Sequence, residues 1–127
     1  MSSAKTTYLS NKLLDHNLKH VSYTSPTTVY LALFTVTPSV SGGGTEVAGG
    51  SYARQAISFN TASTGTSTSS ATITFPANPA ATIVALGIYD ASTSGNLLYF
   101  QTLTSIITTS SGDDLSFPSG NIIVAEA

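Results

Sequence analysis

The chain has 127 residues, a length that suits one domain burying roughly two thirds of its unfolded surface. Only 8% of its residues are charged against 41% hydrophobic, the net charge is −2, and there is no cysteine. Disorder by self-repulsion, disulfides, thiolate metal sites and thiol catalysis are thereby excluded, and the cations are too few for a nucleic-acid footprint.

Polarity comes instead from hydroxyls, since 40 residues are Ser or Thr. Lys5, Lys12 and Lys19 all lie in the first twenty positions, and Arg54 is the only arginine. Binding phosphates needs several cations facing them, so no nucleic-acid partner is expected. The N-terminus lacks the continuous apolar run of a signal peptide, and no stretch approaches a membrane span. The protein is expected to be made and kept soluble, with no membrane partner.

The first element is helical. From Tyr8 to about His20 the leucines Leu9, Leu13, Leu14 and Leu18 recur at spacings of four and five. Thr6 or Thr7 can cap the start by accepting from an exposed backbone N–H, while Lys19 and His20 suit the negative end of the helix dipole. So short an amphipathic helix is not stable alone, and its leucine stripe must dock on its own sandwich or on a neighbouring subunit. His16 and His20 stand four apart, as two metal ligands would, but no third ligand accompanies them; the plain reading is two exposed polar residues near a helix end.

Everything after Tyr23 reads as strand and turn. Thr28–Thr35 is apolar on both parities, with Val29, Leu31 and Leu33 on one and Tyr30, Ala32 and Phe34 on the other. Such a strand is covered on both faces and should be central. The SGGGTEVAGG segment has no Lys-Ser/Thr and no helix start after it, so it links two strands rather than cradling phosphate. Tyr52–Phe59 is a strand with Ala53, Ile57 and Phe59 inward. It carries Arg54, eight residues after Glu46, in a chain nearly without charge. The planar guanidinium fork suits a carboxylate or a row of carbonyls, and a Glu46–Arg54 salt bridge would pin the glycine loop. The bland alternative is an outward, solvated arginine.

Thr61–Ser70 is low-complexity and short enough for a surface loop. Ala71–Phe75 alternates, with Ile73 and Phe75 in and Thr72 and Thr74 out. Thr82–Tyr89 and Leu97–Leu103 flank the turn DASTSGN, where Asp90, Gly95 and Asn96 supply hairpin geometry. Ser105–Thr109, Leu115–Phe117 and Asn121–Ala125 complete the chain. Asp113 and Asp114 are better suited to bonding their own turn than to calcium, which wants six to eight shaped oxygens. Seven or eight short strands with one N-terminal helix predict an all-β fold, an antiparallel sandwich or jelly roll. The expected organisation is a single domain over 1–127, with a helical arm over 1–22 and the sandwich over 23–127.

No catalytic constellation stands out. A serine nucleophile needs a base, both histidines lie on one short helix, and no G-x-S-x-G elbow occurs. A carboxylate pair would have to come from Glu46, Asp90, Asp113, Asp114 or Glu126, which sit in loops, turns and a terminus. The expectation is a non-enzyme with no cofactor, no metal and no small-molecule substrate.

The YLALFT strand, the GTEVAGGSYARQ loop and strand, and the GIYDA…GNLLYF hairpin resemble a family of small virion proteins of tailed phages and prophages, usually labelled tail-fibre-like or structural. The resemblance runs from LLDHNL to the closing β-rich segment. It implies a β-sandwich built into a virion, made in the host bacterial cytoplasm, with other virion proteins as partners; it implies no catalytic residue. The first expectation is a capsid decoration or cement protein binding the major capsid protein lattice, forming dimers or trimers and using Leu9, Leu13, Leu14 and Leu18 as an assembly helix. The alternative is a tail or tail-fibre component that binds a host receptor or carbohydrate. A third possibility, a carbohydrate-binding or hydrolytic jelly roll, would need an aromatic platform or a carboxylate pair, and Tyr8, Tyr23, Tyr30, Tyr52, Tyr89 and Tyr99 read mostly as strand and core residues.

Overall fold

A computed structural model describes residues 4–125; Glu126, one of the carboxylates considered above, lies outside them. The molecule is an antiparallel β-sandwich with one helix. In chain order the elements are β1 (Ala4–Lys5), α1 (Thr7–Leu18), β2 (Val29–Val36), β3 (Thr45–Glu46), β4 (Gln55–Ile57), β5 (Thr66–Thr68), β6 (Ile73–Asn78), β7 (Ala81–Tyr89), β8 (Leu97–Thr109), β9 (Asp113–Phe117) and β10 (Ile123–Ala125). One layer is a six-stranded sheet in the order β1-β8-β7-β2-β3, with β4 also paired to β2. The other layer consists of two hairpin-sized sheets, β10-β5 and β6-β9.

Strand β2 is central and closed off on both faces, as its double apolar parity requires. Leu31 and Leu33 point into the main core with Ile73, Phe75, Ile83, Leu86, Ile88 and Phe117. Ala32 and Phe34 point the other way, into a second cluster with Ala85 and Leu97. Successive side chains of a strand face opposite sides, so one strand feeds two cores. The second cluster is tight: a Cβ on Gly87 would come within 2.6 Å of the Phe34 ring and 2.8 Å of Leu97, so only glycine lets that ring lie flat on β7.

Several boundaries differ from the sequence reading, each for a local reason. Ten strands are present among the described residues rather than seven or eight, because β1, β3 and β5 are pairings of two or three residues too short to leave a pattern, while two expected strands merge into one. The two expected strands over 97–109 are one, β8, broken by a wide bulge: Ile83 pairs with Ile107 and Ala85 with Thr102, so residues 103–106 arch out of register. Ala53 is exposed instead of inward, since regular pairing begins only at Gln55 and Tyr52 takes the inward place. Thr61–Ser70 is not merely a surface loop. It contains β5, and Ser69 is fully buried, its Oγ accepting from the Gly120 and Ile122 N–H groups at 3.1 and 3.3 Å. A hydroxyl-rich tract carries no apolar periodicity, so this clamp leaves no signal in the pattern.

Candidate functional site

The segment Tyr52–Arg54 lies in sequence between the glycine loop and β4 and reaches β2 through the Tyr52 side chain. At Leu33 the partner of β2 changes, because pairing with β4 ends at Leu31 and pairing with β3 begins at Phe34. The backbone groups of Leu33 are satisfied from that segment and the glycine loop. Its N–H donates to the Tyr52 hydroxyl at 3.0 Å and its C=O accepts from Val47 at 2.9 Å. The Tyr52 hydroxyl in turn donates to Glu46 Oε2 at 2.6 Å.

Arg54 completes the cluster. Its Nε donates to Glu46 Oε2 and its Nη2 to Glu46 Oε1, both at 3.0 Å, a two-point fork. Its Nη1 donates to the carbonyls of Ala91 at 2.9 Å and Ser94 at 2.7 Å, in the β7–β8 hairpin turn. The guanidinium carbon lies 3.5 Å from the centroid of the Tyr89 ring. The structure therefore brings Glu46 and Arg54 together, and adds Tyr52, Tyr89 and two carbonyls that no sequence spacing announces. The Arg54 side chain is 8% exposed and that of Glu46 24%. Burial alone would lower the Arg54 pKa, but the hydrogen bonds and charge of Glu46 raise it further, so the guanidinium stays charged. Burial pushes the Tyr52 phenol far up, the bond to Glu46 adds to this, and the Leu33 N–H pulls the other way. The arrangement is a clamp that joins β3, the Tyr52–Arg54 segment and the β7–β8 turn.

The N-terminal helix has two faces. Thr6 is the N-cap: its Oγ1 accepts from Leu9 N–H at 3.4 Å and donates to the Leu97 carbonyl at 2.7 Å, and it is buried. The Thr6 N–H reaches the Leu98 carbonyl and the Thr7 N–H the Val40 carbonyl. Leu9 is buried and Leu13 half-buried, whereas Leu14 and Leu18 are 55% and 71% exposed. Residues four apart share a helix face, but residues five apart diverge by about 140°. The four leucines thus form an inward pair and an outward pair rather than one stripe. The helix closes with His20 at φ 60, the Asp15 carbonyl accepting from the Lys19 and Val21 N–H groups, and His16 Nδ1 3.2 Å from the Val21 carbonyl. The two histidines shape this terminus.

Of three further carboxylates, Asp90 and Asp113 hold their own turns as expected, whereas Asp114, expected to do the same, instead reaches across from β9 to β6. Asp90 Oδ1 accepts from the Asn96 N–H at 2.7 Å, Asp113 Oδ2 from Ser110 at 2.8 Å and Asp114 Oδ1 from Ala77 at 2.9 Å. Among the described residues no three His, Cys, Asp or Glu side chains are grouped to hold a metal ion. All six tyrosines are half-buried and none belongs to the fully buried core. In comparison with known proteins, the family model described as Podophage GP4 fiber I protein gp80 matches residues 4–125. No curated protein matches the chain.

Proposed function

We propose a non-enzymatic, fibre-building role for this chain, which belongs to the podophage GP4 fiber I protein gp80 family and is a structural protein of the phage virion. One observation carries the assembly mechanism. The helix is anchored by Thr6 and Leu9, yet it turns Leu14 and Leu18 to solvent, with Val21 50% exposed just beyond. An apolar pair presented on a rigidly held element is what a neighbouring virion subunit needs for docking, and symmetry multiplies each weak contact. The carboxylates support a structural rather than catalytic reading, because Glu46 is committed to the clamp, Asp90 and Asp113 to turns and Asp114 to the β6–β9 pair.

Decoration of the major capsid protein lattice is the second reading. It is favoured by the length of the helix, 12 residues or about 18 Å, which is too short for a fibre shaft. Copy number separates the two: quantitative mass spectrometry of purified virions should return at most a few dozen chains for a fibre and hundreds for decoration. The docking face is tested directly by Leu14→Ser with Leu18→Ser. Thermal unfolding of the free variant should stay close to the wild type, because both side chains are more than half exposed. Each leucine buried at an interface contributes ~1.5–3 kcal/mol, so incorporation into particles should fall by more than about tenfold. Normal incorporation of the double variant would rule out this face as the docking element.

A further inference from the structure

On the side of β8 away from β7, the strand present among the described residues is β1, and it reaches only Tyr99 and Phe100. Further along, residues 104–109 (TSIITT) form a sheet edge with no described strand against it. Over 103–106 the arch leaves β7 as well, since Ile83 pairs with Ile107 and Ala85 with Thr102. A bare edge is a template for another strand, and soluble proteins normally guard one with a charge or a proline. TSIITT has neither, and five of its six residues are β-branched, the type that fits a paired, pleated strand. A bulge often re-aims a side chain, and Ile106 in this arch is 61% exposed. Beside the edge lies an apolar groove of about 240 Å³, lined by Leu86, Leu103, Ile107, Phe117, Ile122 and Ile123.

Charge and symmetry identify the occupant as a second copy of this chain. No Lys, Arg, Asp or Glu lies in 101–109 or lines the groove, so a charged partner finds no counter-charge there, while two copies meet without like-charge repulsion. A strand laid antiparallel to its own copy across a two-fold axis presents the same hydroxyls and β-branched side chains from both sides. The edge already accepts an antiparallel strand at Tyr99 and Phe100, so the new pairing continues an existing one. We propose that the β8 edge over 104–109 is a self-association surface, on which the β8 strands of two copies pair antiparallel and cover Ile106 and the mouth of the groove. This surface is separate from the helix face argued above and stands without it.

The test is sedimentation velocity of the purified full chain over a concentration series. A species of about twice 13.0 kDa should appear, with a dissociation constant on the order of micromolar, as fits a small interface. Ile106→Lys installs the missing guard and should weaken the dimer more than about tenfold. Thr108→Lys, at another exposed edge position, should do the same, and it carries the test should Ile106→Lys unfold. The Leu14→Ser, Leu18→Ser double variant should dimerise like the wild type. A chain that stays monomeric up to millimolar concentration overturns the proposal. So does a trimer, because a two-fold edge pairing closes at two copies, and so does a dimer that the edge lysines leave intact or that the helix serines abolish. All of these are read on the free chain, so they are independent of the copy-number and incorporation tests made on virions.

Discussion

Arg54 gathers in one side chain most of the strong electrostatics of the protein. Four of its five N–H donors are engaged, two on Glu46 and two on hairpin carbonyls. The ion pair itself is not the main source of stability, since desolvating two charges offsets much of their attraction. What matters is the loss when one partner goes. Arg54→Ala strands Glu46 with the Tyr52 hydroxyl alone, strips both hairpin carbonyls of their donor and removes the cation from the Tyr89 ring. Because Glu46 keeps some access to water, the expected cost is about 2–3 kcal/mol, below the range for fully buried pairs. Arg54→Lys should recover less than half, having no fork to span both carboxylate oxygens. Urea unfolding measures the cost. Amide exchange should quicken in residues 41–50 and 90–96 together, because one side chain ties both; an unchanged glycine loop would refute the pinning role. Charge scarcity made Glu46 and Arg54 legible in the sequence. Tyr52 and Tyr89 were not, because a tyrosine in a strand pattern reads as packing, and nothing in its spacing shows where the hydroxyl goes.

At the scale of elements, the helix is where sequence and structure part most usefully. Its existence, its Thr6 cap and its leucines were all readable, but their division between core and solvent follows from the 100° step per residue together with the contact that β1 imposes. Ala4 and Lys5 pair with Phe100 and Tyr99, so the N-terminal segment enters the sheet before the helix begins. Deleting residues 1–20 would therefore remove an edge strand, the buried Thr6 and the buried Leu9 together. A loss of about 3–5 kcal/mol is expected, from the leucine burial and the Thr6 hydrogen bonds combined. The truncated chain should melt well below the wild type, whereas the Leu14/Leu18 double serine variant should not. Equal melting temperatures for all three would show that the helix is not docked at all. The same contrast explains which strands were readable. β2 and β6 bury alternating or continuous apolar residues and were placed within two or three residues. The Ser69 clamp and the arch at 103–106 depend on hydrogen bonds and register, which hydrophobic pattern does not encode.

Taken as a whole, the molecule has so few ionisable side chains that its stability should respond to pH through a handful of groups. Three tyrosines stand out. Burial raises the phenols of Tyr52, Tyr89 and Tyr23; a Glu46 hydrogen bond raises Tyr52 further, Arg54 partly offsets the rise at Tyr89, and Tyr8 and Asp90 add to it at Tyr23. The neutral phenol is the form the fold prefers. In the unfolded chain a tyrosine ionises near its ordinary value of 10.0, while the folded phenol holds its proton to higher pH. Their contribution is thus fully present below about pH 10 and is lost progressively as pH rises beyond it. Tyr52 alone can remove at most ~1.4 kcal/mol per pH unit, somewhat less because part of its ring still meets water. Tyr52→Phe separates the two roles of that hydroxyl. At pH 7 the variant should be about 1–3 kcal/mol less stable, because the buried Leu33 N–H loses its acceptor. Above pH 10 its stability should fall less steeply than that of the wild type, so the two urea-unfolding curves converge with rising pH. Parallel curves from pH 7 to 11 would mean that the Tyr52 proton is not what the fold protects, and the alkaline limit would pass to Tyr89 and Tyr23.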